Sequence, residues 1–337
     1  MFRIRHCFRH KSKRLLIFIS LFIILVVYLF PEFIPSIIST LHKILWAIIE
    51  INCIPYKVSD PRPFFERELT QTNLPHRISK KSEQDVVRQF QSLRLLILAT
   101  ARDVEEDIDA FRNSTEAILD LFHPSSRILI CESDSSDKTV DKLLIWPRIQ
   151  LYTYGKLSNI YPNRPDRIAF CRNKLLNVSR QFAADYLLIA DVDVFASSID
   201  AFISNFRYDT DQWSVMTANS RIYYDIWALR TLSDSVVNFD VWHRIWKIQR
   251  KERKYCRQSV VDQYVGNHQV PLLVDHGLIE VRSAFNGAGI YKANLTVGCE
   301  YSGANKTCEH VSFHLCIREK HHGRIFINPQ FLLSSVN

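Results

Sequence analysis

The segment Tyr186–Phe195, YLLIADVDVF, constrains this chain more than any other. A short apolar run of this kind reads as a strand buried on both faces of a parallel sheet. Here it runs into two aspartates one residue apart, Asp191 and Asp193, before returning to Val194 and Phe195. In open α/β sheets the ligand lies beyond the carboxyl ends of the strands, which is where this run turns acidic. Two carboxylates so close repel each other and resist desolvation unless a cation sits between them. A hard divalent ion, Mn2+ or Mg2+, takes oxygen ligands and commonly holds substrate phosphates as well, so it would settle that conflict.

The segments around this strand alternate in period. LRLLILAT (Leu93–Thr100), RILICE (Arg127–Glu132) and IQLYTY (Ile149–Tyr154) read as strands. Between them Ile108, Phe111, Ile118, Leu119 and Phe122 recur at helical spacing, and Lys138–Trp146 reads as a helix capped from Asp137 or Ser136. Arg167–Ala183 follows as a helix with Ile168, Cys171, Leu175, Val178 and Phe182 on its buried side. This alternation predicts a doubly wound α/β sheet. The second half is less regular: strands at Trp213–Asn219 and Arg324–Pro329, a helix at Phe239–Gln249, and Leu278–Tyr291 as one strand interrupted by Gly287 and Gly289. At 337 residues and 47% apolar, the chain can bury the core such a domain needs.

The net charge of +8 is mostly local, because Arg3, Arg5, Arg9, Lys11, Lys13 and Arg14 all lie in residues 1–14 with no acid among them. The remainder is close to neutral, which argues against a nucleic-acid surface. Leu15–Pro31 carries no charge and lies at the short end of membrane-spanning length. With the basic flank on its N-terminal side and no small-residue cleavage site after it, it reads as an uncleaved signal anchor. The domains expected are a cytoplasmic tail (1–14), a transmembrane helix (15–31), a stem (32–92) and a lumenal catalytic domain (93–337). Residues 34–51 read as a membrane-hugging stem, with a second span as the alternative. Sequons at Asn113, Asn177, Asn294 and Asn305 and an even set of cysteines from Cys131 to Cys316 suit a lumenal domain of the Golgi or endoplasmic reticulum. Cys299 and Cys308 are the expected disulfide pair.

Several motifs occur in order: ESDSSDKT (Glu132–Thr139), DRIAFCRN (Asp166–Asn173), DVD (Asp191–Asp193), YYDIWALR (Tyr223–Arg230), FNGAGIY (Phe285–Tyr291) and CEHVSFH (Cys308–His314). As an ordered set they resemble the fungal capsule-associated α-1,3-mannosyltransferase family and its relatives, over roughly Leu93 to Pro329. Two positions depart from that family: its acidic motif reads more like Asn-Asp-Val, and an acid usually stands where this chain has Thr231. The resemblance implies a GT-A (Rossmann-like) single catalytic domain with a mixed, mostly parallel central sheet, preceded by the transmembrane helix. It implies a metal-dependent glycosyltransferase moving a hexose, with mannose from GDP-mannose favoured, from a nucleotide sugar to a glycan or glycoconjugate acceptor.

Site residues follow from the same resemblance. Asp193 is the expected direct ligand of Mn2+ or Mg2+, with Asp191 on the metal, its bound water or a ribose. His310 or His314 would complete the metal site. Asp134 would contact the nucleotide, with a helix-capping role as the alternative, and Arg167, Arg172 and Asn173 would bind the diphosphate, which needs cationic, bidentate partners. Glu309 is a candidate base at the acceptor hydroxyl, and Asp225 a second candidate acid. Two other classes stay open: a metal-dependent phosphodiesterase, and a membrane-anchored sugar-binding protein without catalysis.

Overall fold

The structure is a computed structural model and describes residues 39–40, 53–67, 73–78 and 80–334. The expected tail (1–14) and anchor (15–31), and nearly all of 34–51, lie outside the described residues. Among the described residues no helix is long and apolar enough to cross a membrane. The chain forms two units, a large one of Val58–Lys247 with Val261–Asn337 and a small one of Met1–Lys57 with Ile248–Val260. In the small unit, the Cys53–Cys256 disulfide and a bridge between Ile54 and Tyr255 tie residues 53–57 to the second segment.

In the large unit α1 (Phe64–Arg67) and α2 (Lys80–Gln89) come first. Phe64 and Phe90 are wholly buried although they precede the expected boundary at residue 93. Phe90 stacks on Phe122 at 4.7 Å and meets Phe206 edge-on at 4.6 Å, so the expected stem supplies core aromatics. The elements then run β1 (Leu95–Ala101), α3 (Ile108–Leu119), β2 (Arg127–Glu132), α4 (Thr139–Leu144), β3 (Ile149–Thr153), α5 (Arg164–Ser179) and β4 (Tyr186–Asp191). After these come α6 (Ile199–Ile203), β5 (Val215–Ser220), β6 (Arg230–Thr231), α7 (Val241–Lys251), α8 (Arg257–Tyr264), β7 (Ile279–Ser283), β8 (Ala288–Lys292), α9 (Glu309–His321) and β9 (Ile325–Leu333).

The nine strands among the described residues form one sheet in the order β3-β2-β1-β4-β8-β5-β9-β7-β6. The first four are parallel, as their unbroken apolar runs require: β1, β2 and β4 are buried on both faces almost throughout. Only β8 and β7 run against the rest, which makes the sheet mixed with most strands pointing one way. The segment Leu278–Tyr291 is not one interrupted strand. Its halves are β7 and β8, which lie apart in the sheet with β5 and β9 between them, and Asn286 and Gly287 at φ +54° and +87° make the turn out of line. Strand β9 also runs past Pro329, because the register with β5 shifts between Thr217 and Asn219 and the proline falls in that irregularity.

Candidate active site

The chain lays down β1, then β2 and β3 to one side, and returns to place β4 on the other side of β1. Connections that leave adjacent strands in opposite directions open a crevice at their carboxyl ends. Thr100 of β1 and Asp191 of β4 are register partners at that point, with Thr100 Oγ1 3.5 Å from Asp191 Oδ1. A cavity of about 150 Å³ lies there, lined among others by Thr100, Ser133, Arg164, Arg167, Asp191 and Asp193. The Cys131–Cys171 disulfide, which ties the end of β2 to the middle of α5, forms part of its wall.

Strand β4 stops at Asp191 and does not continue to Phe195. The Asp191 carbonyl accepts the N–H groups of Val194 and Phe195 at 3.3 and 3.0 Å, which turns the chain back. Val192 and Phe195 plug into the core while Asp193 is left exposed. Crowding by the surrounding protein, and then the charge of Asp191, push the Asp193 carboxyl up to about 6, with Arg164 pulling the other way. Like charge concentrated at a cavity lip is the environment a cation would relieve. Among the described residues no group of three or more His, Cys, Asp or Glu side chains is placed to hold a metal. Two hard carboxylates with open positions left for phosphate oxygens and water fit Mg2+ or Mn2+.

The wall behind Asp191 corrects several expectations. Arg172 does not face the cavity. It is buried, its Nη2 donates to Asp191 Oδ1 at 2.7 Å, and its Nε lies 3.3 Å from Glu309 Oε1. The rings of Phe285 and Tyr301 lie 4.8 and 5.5 Å from its guanidinium. Asn173 instead clamps the Tyr301 backbone, donating to its carbonyl at 2.9 Å and accepting its N–H at 2.8 Å. Glu309 begins α9, so CEHVSFH is the start of a helix, and its carboxylate is enclosed behind Arg172. Burial raises the Glu309 carboxyl, with Arg172 opposing the rise. It has no open side from which to reach an acceptor hydroxyl.

Neither histidine lines the cavity. His314 is wholly buried with both ring nitrogens committed, Nδ1 to Ser283 Oγ at 2.9 Å and Nε2 to the Tyr291 hydroxyl at 2.8 Å. Burial pushes it down to about 3. His310 stacks on Phe285 at 3.7 Å and is held far below the ordinary range by burial and by Arg172. Cys299 pairs with Cys316 rather than Cys308, which stays free and buried.

Asp134 is a turn residue, at φ +63°. Its Oδ1 accepts the Ser158 N–H at 2.9 Å and its Oδ2 lies 3.7 Å from Arg167 Nε. Asp137, not Asp134, meets the start of α4, accepting the Thr139 N–H at 2.9 Å. Arg167 does reach the cavity wall, but its Nη1 is taken by the carbonyls of Tyr161 and Pro162. Asp225 accepts the Ala228 and Asn286 N–H groups at 3.1 and 3.2 Å, and burial raises its carboxyl. It braces a loop and is not open to an acceptor.

The structure adds residues that motif reading missed. Arg164 stands in the first turn of α5 and lines the cavity on the Asp193 side. Pro165 was the available signal, since proline favours the first helical turn and moves the helix start back from residue 167. Thr100 and Ser133 end strand runs at the same edge. Tyr224, already marked in sequence as one of the YYDIWALR aromatics, keeps its ring partly exposed, while burial and then the charges of Asp225, Asp191 and Asp193 raise its phenol.

No family model matches this sequence, and no curated protein matches it. A mannosyltransferase from Pyrobaculum calidifontis in complex with GDP-Man and Mn2+ is 11% identical, covering 81% of this chain and 63% of that one, with a TM-score of 0.44. S. aureus TarS 1-349 is 11% identical over 70% of this chain and 58% of that one, with a TM-score of 0.40. Glucosyl-3-phosphoglycerate synthase from Mycobacterium tuberculosis, in complex with Mn2+, UDP and phosphoglyceric acid, is 10% identical over 72% and 68%, with a TM-score of 0.38. The chain thus spans 58% of the TarS structure and 63% of the mannosyltransferase it matches.

Proposed function

We propose that this chain is a GT-A glycosyltransferase that uses a divalent cation to hold a nucleotide-sugar donor. The observation that carries this reading is the pairing of Asp191 and Asp193 at the β1/β4 switch point, lining one cavity together with Arg164 and Arg167. Anions and cations lining one cavity suit a ligand that is itself a metal-bound anion, such as a nucleoside diphosphate. When bound, the cation supplies charge neutralisation of the leaving diphosphate. The chain's own part is to orient and to compensate charge. Asp191 and Asp193 present carboxylate oxygens at the cavity lip. Arg164, at the positive end of α5, offers a cationic fork to phosphate oxygens. Tyr224, near enough to Asp191 and Asp193 for their charges to raise its phenol, offers a partly exposed ring to a sugar. Asp225 and Glu309 are both committed within the protein, so departure of the diphosphate is the step these residues assist most directly.

Mannose from GDP-mannose is the favoured donor, supported by the ordered motif set from Glu132 to His314. A glycan or glycoconjugate is the proposed acceptor. A secretory-pathway setting, Golgi or endoplasmic reticulum with the anchor at 15–31 and the catalytic unit lumenal, is supported by three disulfides, which persist in oxidising compartments. A two-metal phosphodiesterase is disfavoured, because such sites gather more carboxylates and histidines than Asp191 and Asp193. The test is a thermal-shift screen of nucleotide sugars with Mn2+. One nucleotide sugar should stabilise the wild type, and Asp193→Ala should lose that shift and transfer activity while its own melting temperature stays close to wild type. Wild-type turnover by folded Asp193→Ala would sink the proposal.

A further inference from the structure

Of the Arg172 nitrogens only Nη2 makes a side-chain hydrogen bond, to Asp191 Oδ1 at 2.7 Å. Nε and Nη1 are buried without a hydrogen-bond partner, and Nε lies 3.3 Å from Glu309 Oε1 as an ion pair. The side chain is 4% exposed and that of Glu309 6%. A guanidinium this enclosed needs counter-charge, and Asp191 and Glu309 supply it. With Glu309 absent, Asp191 alone would have to answer the buried cation, and the negative charge it presents to the cavity would be largely cancelled. The two aspartates would then hold a divalent ion with the net pull of one.

We infer that Glu309 is a positioning residue for the acidic pair: by sharing the neutralisation of Arg172, it leaves Asp191 its second carboxylate oxygen and its charge for a divalent cation. This rests on the metal-site reading above and extends it. The extension reaches the first turn of α9, whose carboxylate shares the Arg172 guanidinium with Asp191. Glu309 is thereby removed from the reacting atoms and given a defined effect on cation affinity.

The test uses the purified full chain and Mn2+ alone, with no donor or acceptor, following free Mn2+ by electron paramagnetic resonance. Glu309→Gln should weaken Mn2+ binding on the order of tenfold, since an uncompensated charge is left close behind the site. Glu309→Asp should recover much of the loss. The double variant Arg172→Met with Glu309→Met removes both buried charges, and should bind Mn2+ more tightly than Glu309→Gln. In turnover the Mn2+ requirement of Glu309→Gln should rise in the same ratio, with kcat at saturating Mn2+ within a few-fold of wild type. Two results would overturn the inference: wild-type Mn2+ affinity in folded Glu309→Gln, or loss of kcat with affinity unchanged, which would make Glu309 a reacting group. If Glu309→Gln does not fold, the double variant decides, and a tenfold loss there also overturns it. Failure of the wild type to bind Mn2+, or undiminished binding by Asp193→Ala, would instead overturn the metal site itself.

Discussion

Asn286 and Gly287 tie three pieces of chain around the acidic turn. Asn286 Oδ1 accepts the N–H groups of Tyr224 and Asp225 at 3.0 and 3.3 Å, and its amide donates to Ser220 Oγ at 3.0 Å. The Gly287 carbonyl accepts the Asp191 N–H at 3.0 Å. A Cβ on Gly287 would lie 2.8 Å from Val194 Cγ1 and 3.0 Å from the Tyr224 hydroxyl, at a φ of +87° that side chains rarely adopt. Gly287→Ala should therefore cost about 1–3 kcal/mol in urea unfolding, and displacement of Val194 should weaken Mn2+ binding as well. At this scale the sequence was legible where chemistry is local. Two carboxylates ending an apolar run announce themselves, and two glycines mark a close backbone approach. It was not legible for Arg172, Asn173, Asp225, Glu309, His310 or His314, because burial and partner choice are tertiary facts. A charged residue bracing a core and one meeting a phosphate read alike in one dimension.

Helix α5 is the element that sets the cavity's width. Its residues Arg164, Arg167, Ile168 and Cys171 form one wall, and the Cys131–Cys171 bridge, closing a separation of 40 residues, fixes that wall to β2. The variant Cys131→Ala with Cys171→Ala should lose about 2–4 kcal/mol in chemical denaturation. Donor binding should weaken in parallel, because the wall is then held by packing alone. The first half of the sheet was readable because its strands are continuous apolar runs and its helices carry one apolar face. In the second half β5, α7 and β9 were legible within a few residues, whereas β7 and β8 were not, since they form a single apolar stretch in sequence yet lie apart in the sheet. Strand β6 has only the two residues Arg230–Thr231, too short to show any period.

For the molecule as a whole, buried neutral histidines are the groups that lose stability in acid. Burial pushes His268 down to about 4 and His314 to about 3. Both folded values lie below the ordinary one near 6.5, so the unfolded chain binds more protons at mildly acidic pH. Their stability is fully present above about pH 6.5 and drains away as the pH falls toward 4, on the order of 2 kcal/mol for each group at pH 5. The raised carboxyls of Asp193, Asp225 and Glu309 act in the opposite sense, so the expected result is a difference between variants: the loss of melting temperature from pH 7.5 to pH 5 should be smaller in His268→Gln than in the wild type by several degrees. All four sequon asparagines, Asn113, Asn177, Asn294 and Asn305, are exposed. Expression of the full chain through a eukaryotic secretory pathway should therefore yield protein whose gel mobility increases after endoglycosidase treatment. Unchanged mobility would count against the lumenal assignment.

Strand β4 pairs with β1 on one side and with β8 on the other. The first partner is synthesised before it and the second long after, beyond Phe285. Until Ala288–Lys292 leaves the ribosome, seconds later at about 5–20 residues per second, β4 presents a bare row of N–H and C=O groups on an apolar ribbon. The nascent chain is thus most prone to aggregate while the half bearing the acidic pair is complete and its neighbouring strand is not. Chains truncated between Phe195 and Phe285 should need a chaperone that the finished protein can do without.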